Sequence, residues 1–392
     1  MTTDPHRELK LAILLVATAA IIVGASASNF VAQLANDRLD SGPRSLAILL
    51  SVGGLTSLPV IIAVAIWVDR RGPHPVMAIS AAIAGLATLI LVAANSNALV
   101  GIGLVIAGIG GAGTLTIIFY ATIVRGSTTH RGLTIGAVAA IFSARGTLSR
   151  SVTENAPSLE AGLAAAAVIL LVAAFLLYRY LPKLLPASPA SALPAPAFQH
   201  LWTDRQLRRV LIRTGLMLAV AHALDTVSDI YLPSTIANHT DYSVIHVVYA
   251  MALSAALGIL FVGFMSDLIP IRHLFIIVSA TSLPIVGTYT LFQGPIVSPA
   301  SALLISALHG GLLILPWLYF AHHVPISLFI RAGILISTLA TVIGGLFIPL
   351  LGGFSYEIWG SNGPAIMLIP LSLVAIALAT RFPARPLPQP ID

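Results

Sequence analysis

Apolar runs of about 20 residues follow one another along almost the whole chain, and LAILLVATAAIIVGASA at residues 11–27 lies in the first of them. Wound as a helix, a run of that length crosses a hydrocarbon core of roughly 30 Å. The runs are apolar on all sides, whereas barrel strands would alternate polar and apolar residues. The reading is therefore an all-α polytopic membrane protein. A composition of 57% hydrophobic and 9% charged residues, with a mean hydropathy of +0.97, agrees with it. The chain has no cysteine, which excludes a disulfide framework, a thiolate nucleophile and a Cys-ligated metal or iron–sulfur site.

Twelve transmembrane helices are predicted, at about 11–36, 45–68, 76–94, 98–123, 132–154, 158–180, 209–235, 243–266, 274–292, 299–321, 325–351 and 363–380. Ala25-Ser26-Ala27 has the form of a signal-peptide cleavage site, but the apolar segment continues past it, and its loss would misplace a terminus. With the N-terminus in the cytoplasm, only Arg38 and Arg44 among the basic loop residues fall outside; Arg70, Arg71, Arg125, Arg131, Arg205 and Arg208 are among the many inside. That asymmetry predicts cytoplasmic termini and an even span count. It also explains the net charge of +6 without nucleic acid as a partner.

LPKLLPASPASALPAPAFQHLWTDRQLRR, between spans six and seven, holds Pro182, Pro186, Pro189, Pro194 and Pro196. Proline at that density cannot be helix interior. Residues 182–206 read as a cytoplasmic linker between two six-helix bundles, 1–181 and 207–392. A weak internal symmetry accompanies this, since one offset carries Asp69 onto Asp267, Gly146 onto Gly344 and Leu11 onto Arg209. A duplicated, pseudo-symmetric six-helix unit would leave that trace.

WVDRRGPHP, residues 67–75, packs a carboxylate, two guanidiniums and a glycine turn into the short loop between spans two and three. It is either a solvated turn or a latch whose charges bond neighbouring helix ends until transport breaks them. Asp69-Arg70-Arg71-Gly72 resembles the loop signature of the major facilitator superfamily, and Gly263 to Asp267 with Arg272 resembles its second, degenerate copy. Two positions depart from the pattern: Ala65 stands in place of the leading glycine, and Pro73-His74 in place of the basic pair. The 6+6 layout is similar to that superfamily over essentially the whole chain. FSARGTLS at 142–149 and IYLPSTI at 230–236 resemble helices five and seven of its sugar efflux branch. That resemblance implies export of sugars or sugar-like compounds in exchange for protons.

Ionisable residues at membrane depth are costly, so they face a bundle interior or a water-filled cavity. His222, Asp225 and Asp229 in span seven fall within an arc of roughly 60° at 100° per residue. Arg213 lies on the opposite face, near enough to the helix end to snorkel. Arg145 lies near the middle of span five, and Glu154 is better placed to pair with Arg150. Arg145 is therefore expected to meet Asp225 or Asp229, either as a permanent ion pair or as a pair that opens in the cycle. A carboxylate that is desolvated and then released from an arginine can take up and lose a proton. Asp225 and Asp229 are the candidate carriers, with His222 either a relay or a bundle hydrogen bonder.

Candidate substrate contacts are Asn29 and Gln33 in span one, and His309 and Trp317 in span ten. Interhelical hydrogen bonding or interfacial anchoring explains the same residues equally well. GIGLVIAGIGGAG at 101–113 lies within a span, so it reads as close helix packing rather than a phosphate cradle. GGLFIPLLGGFSYEIWG in span eleven reads as a glycine-hinged helix with a kink at Pro349.

No phosphate-binding loop of the ATPase kind is present, so a gradient must supply the energy. No catalytic residue, cofactor or metal site is expected, and the chain is not read as an enzyme. The expected partners are a small-molecule substrate, protons and the lipid bilayer, and a single twelve-span chain can be complete as a monomer. A proton-coupled drug or metabolite exporter, or a non-transporting sensor, would fit the same features. The expected location is a bacterial inner (plasma) membrane.

Overall fold

The structure, a computed structural model, describes residues 73–110, 131–144, 157–184, 203–240, 244–292, 294–324 and 328–381, with Pro59, Ala63 and Trp67 singly in helical conformation. Among the described residues there is no strand, and seven helices are long and apolar enough to cross a membrane. The helices are α1 (Pro73–Ala93), α2 (Asn97–Gly110), α3 (Arg131–Ser143), α4 (Leu159–Leu184), α5 (Arg205–His239) and α6 (Val244–Ser266). They continue with α7 (Ile271–Leu291), α8 (Val297–His323), α9 (Phe329–Ala340), α10 (Ile348–Trp359) and α11 (Gly363–Thr380). Spans three to twelve of the sequence reading each overlap one of these helices, and α10 begins within span eleven but runs past its predicted end at 351 to Trp359. Spans one and two, and most of the proline-rich linker, lie outside the described residues.

The helices keep their apolar residues on both the packed and the outer faces. On α4, Val168, Val172, Phe175 and Leu176 form an exposed stripe while Leu163, Ala167, Leu170 and Ala174 are buried. An apolar outer face of that kind suits a hydrocarbon solvent. Hydroxyls inside the spans bond back to the preceding turn, as Thr214 Oγ1 does to the Val210 carbonyl at 2.8 Å and Thr88 Oγ1 to the Ala84 carbonyl at 2.9 Å. This satisfies these hydroxyls without water, whereas Ser279 Oγ and Ser306 Oγ have no hydrogen-bond partner among the described residues.

Two compact units are formed. α1, α2 and α4 belong to the first, where α1 packs on α4 and Gly85 leaves room for Leu171. α3 and all helices from α5 onward belong to the second. There α6 and α8 meet through small residues: a β-carbon at Gly310 would lie 2.7 Å from the Ala255 carbonyl oxygen, and one at Gly258 would overlap the Ala307 carbonyl. Such contacts let the helix backbones approach closely.

Asp204 starts α5 as its N-cap, accepting from Gln206 N at 2.7 Å and Leu207 N at 3.1 Å. Span eleven departs from the simple proline kink. Thr341–Phe347 form a π-helical segment between α9 and α10, and Ile348 N donates to the Ile343 carbonyl. Pro349 follows at once and has no N–H, so the usual bond cannot re-form there and the wide turn persists.

Candidate transport site and helix-end latch

The short turn after α6 carries Asp267, and its carboxylate closes the N-terminus of α3. Gly132 N donates to Oδ1 at 2.9 Å and Leu133 N to Oδ2 at 3.0 Å. A negative charge here complements the positive end of the helix dipole and satisfies two amides that a helix start leaves open. Glycines make the approach possible. A β-carbon at Gly132 would overlap Ser266 Oγ and the Gly263 carbonyl, and one at Gly263 would lie 2.8 Å from the Gly136 Cα. Just past that turn, in the first turn of α7, Arg272 donates through Nη2 to the Thr380 carbonyl at 3.2 Å, at the negative end of α11. The α6–α7 junction thus places an anion on a helix start and a cation on a helix end. The first copy of this loop, Asp69, Arg70, Arg71 and Gly72, lies outside the described residues.

On α5, His222 and Asp225 are half-buried and Asp229 is exposed, whereas Leu224, Val227 and Ser228 are buried. His222 Nδ1 lies 3.5 Å from Thr226 Oγ1, one turn on. The π segment of span eleven presses on this stripe: a β-carbon at Gly344 would lie 2.8 Å from His222 Cβ and 3.2 Å from Ala223 N. Further along both helices, Tyr231 rests its ring on Gly352, whose β-carbon would stand 2.7 Å from the ring Cζ. π segments are often found at functional sites. Arg145, Asn29 and Gln33 lie outside the described residues.

His309 is fully buried in α8, with Nδ1 2.8 Å from Ser228 Oγ of α5. Trp317 is also buried, edge-on to Phe320 at 5.9 Å, and Phe320 continues the cluster to Phe329 at 4.6 Å. Both residues therefore sit in helix packing in this conformation. Arg213 is half-buried and acts electrostatically on the Tyr319 hydroxyl of α8 rather than only reaching outward. Tyr319 stacks on His323 at 4.0 Å. Sequence reasoning missed Ser228, because a serine beside a carboxylate stripe carries no signal until its facing helix is known.

The family model of the Major Facilitator Superfamily matches residues 13–328. The chain belongs to that superfamily. It is a membrane transporter, not an enzyme. Solved structures of the same fold include the human organic anion transporter MFSD10, with a TM-score of 0.73 at 14% identity, covering 96% of this chain and 100% of that one. The transporter FucP in the outward conformation aligns with a TM-score of 0.68 at 12% identity, covering 95% and 99%. A single-substitution variant of the E. coli fucose:proton symporter FucP aligns with a TM-score of 0.66 at 11% identity, covering 94% and 98%. No curated protein matches this sequence.

Proposed function

We propose that this superfamily member is a proton-coupled secondary transporter that exports sugars or sugar-like compounds by alternating access. The two six-helix halves, 1–181 and 207–392, rock about a central site, with 182–206 as the linker between them. Both termini are cytoplasmic, in a bacterial inner membrane, and the monomer is the working unit. The Asp267 contact with Gly132 and Leu133 supports the reading, because within the second compact unit it joins a helix from residues 1–181 to a loop from residues 207–392 by bonds that can break and re-form.

Asp225 and Asp229 take the proton, His222 relays it, and Arg145 pairs with one of the carboxylates in part of the cycle. Asn29, Gln33, His309 and Trp317 contact substrate when the halves move. Asp69, Arg70, Arg71 and Gly72 form the companion latch to Asp267 and Arg272. Likeness to a fucose:proton symporter supports a sugar and a proton as the coupled pair. The export direction rests on the sugar efflux resemblance of residues 142–149 and 230–236.

A second reading, export of organic anions or amphipathic metabolites, is favoured by the likeness to MFSD10 and by the half-buried Arg213 beside Tyr319. Proteoliposomes holding an internal pH dye separate the two. L-fucose, lactose and a set of organic anions are added to wild type, Asp225→Asn and Asp229→Asn. Sugar-driven proton flux that is lost in one variant is the expected result. Flux with the anions alone selects the second reading, and no flux with any compound rejects coupled transport of these classes.

A further inference from the structure

We infer that His309 Nε2 is a proton-accepting atom of this transporter, occluded in the conformation described and protonated when α5 and α8 part. The inference rests on proton-coupled transport as proposed above and names a further carrier for it. Ser228 Oγ lies 2.8 Å from the Leu224 carbonyl oxygen and 2.8 Å from His309 Nδ1. A hydroxyl has one hydrogen, and a carbonyl oxygen can only accept. Both contacts are hydrogen bonds at once only if Ser228 donates to Leu224 and His309 donates from Nδ1–H to Ser228. The network therefore assigns the Nδ1–H tautomer and leaves the lone pair on Nε2. Nε2 is buried and has no hydrogen-bond partner among the described residues.

A buried lone pair without a partner costs free energy. His323 also lacks an Nε2 partner, but it is half-buried at the end of α8, whereas His309 is fully buried mid-helix. α8 packs against α6, α5, α7 and α3. α6 brings only His246 and Tyr249, both more than a turn from Ala255, which meets Gly310. α7 brings Arg272, His273 and Tyr289, and α3 brings Arg131 at its start. On α5, Asp225 and Asp229 flank Ser228, with His222 and Arg213 further along towards its start. The carboxylates nearest in sequence to the His309 partner are thus the proposed proton carriers themselves.

Protonation leaves the Ser228 bond intact, because Nδ1–H already donates. Hydronium gives its proton to Nε2, forming the second N–H bond and releasing water, and the reverse step returns it on the other side. The imidazolium then needs an acceptor, which an α5 carboxylate supplies once the helices have shifted.

The test uses the full chain carrying 15N-labelled histidine in lipid nanodiscs, as wild type and as Asp267→Asn, which unlatches α3. The His309 signals are those lost in His309→Gln. Should that variant not fold, they are those shifted in Ser228→Ala, which removes the Nδ1 partner. The expected result at about pH 8 is the Nδ1–H tautomer in both proteins. On titration to about pH 5, the imidazolium fraction should grow several-fold more in Asp267→Asn than in wild type. An Nε2–H tautomer, or no imidazolium in either protein, overturns the inference; equal protonation in both overturns the occlusion. Protonation of His309 without solute-driven flux in the liposome assay rejects proton-coupled transport and leaves His309 as a proton site. Flux with His309 neutral rejects this inference alone and leaves the proton to Asp225 or Asp229.

Discussion

The carboxylate of Asp267 accepts the amide hydrogen of Gly132 at 2.9 Å, across 135 residues of sequence. Its second oxygen takes Leu133 N–H at 3.0 Å, so one side chain holds two of the open amides of α3. An asparagine there keeps the shape but loses the charge and one acceptor oxygen. The loss is about 1 kcal/mol, the worth of a charged cap at a helix start, and multiplies the unlatched population about five-fold. Hydrogen exchange checks this directly, because the bonded amides are the reporters. Asp267→Asn should raise exchange in the segment beginning at Arg131 by about that factor and leave Pro73–Ala93 unchanged. Equal exchange at Gly132 and Leu133 in both proteins would show that the carboxylate does not hold α3.

The glycine at the same contact should matter more than the charge. Gly132→Ala places a β-carbon against Ser266 Oγ and the Gly263 carbonyl, so α3 must retreat as a whole. Gly287→Ala is the control, since a β-carbon there meets nothing within 4 Å. The chain has no cysteine, so Ser266→Cys is a single reporter without further engineering. Its maleimide labelling should speed up with Gly132→Ala and stay unchanged with Gly287→Ala.

The spans were legible because an apolar run of about 20 residues has no other use in a chain this hydrophobic. The i, i+3, i+7 spacing of His222, Asp225 and Asp229 can be read from the sequence, but not that Asp229 is exposed while His222 and Asp225 are half-buried. Asp267 and Arg272 could be singled out as a latch, but the helix ends they bond could not. Nothing near Gly132 or Thr380 in sequence says which loop approaches, because that choice is made by the tertiary packing of small residues. The partner of His309 was hidden for the same reason. The π segment was missed because a proline signals a break in the bonding pattern but not how the preceding turn will widen.

Removing the hydroxyl at position 228 leaves His309 Nδ1–H buried without the serine oxygen that accepts it. An interhelical hydrogen bond inside a membrane contributes about 0.6 kcal/mol on average and up to about 1.7 kcal/mol. Ser228→Ala should therefore lower the thermal unfolding midpoint in detergent. His309→Leu combined with Ser228→Ala should recover part of the loss, because neither polar group then remains unmatched. Additive losses in the double variant would mean that the two side chains do not depend on each other.

Gly344 tests whether the π segment bears on the α5 stripe, because the sign of its effect differs from that of an ordinary helical glycine. In open surroundings, replacing a helical glycine by alanine stabilises by about 0.4–1 kcal/mol through the unfolded chain. Gly101→Ala should do this, as its β-carbon would meet nothing within 4 Å. Gly344→Ala gains the same entropy term but sets its β-carbon 2.8 Å from His222 Cβ and 3.2 Å from the His222 carbonyl carbon, which are part of the α5 main chain or next to it. Backbone cannot yield as a flexible side chain does, and overpacking costs about 1–3 kcal/mol. The expected outcome is a raised unfolding midpoint for Gly101→Ala and a lowered one for Gly344→Ala in the same detergent. A rise in both would mean that span eleven stands clear of His222, and the π segment would then have no direct hold on the carboxylate stripe.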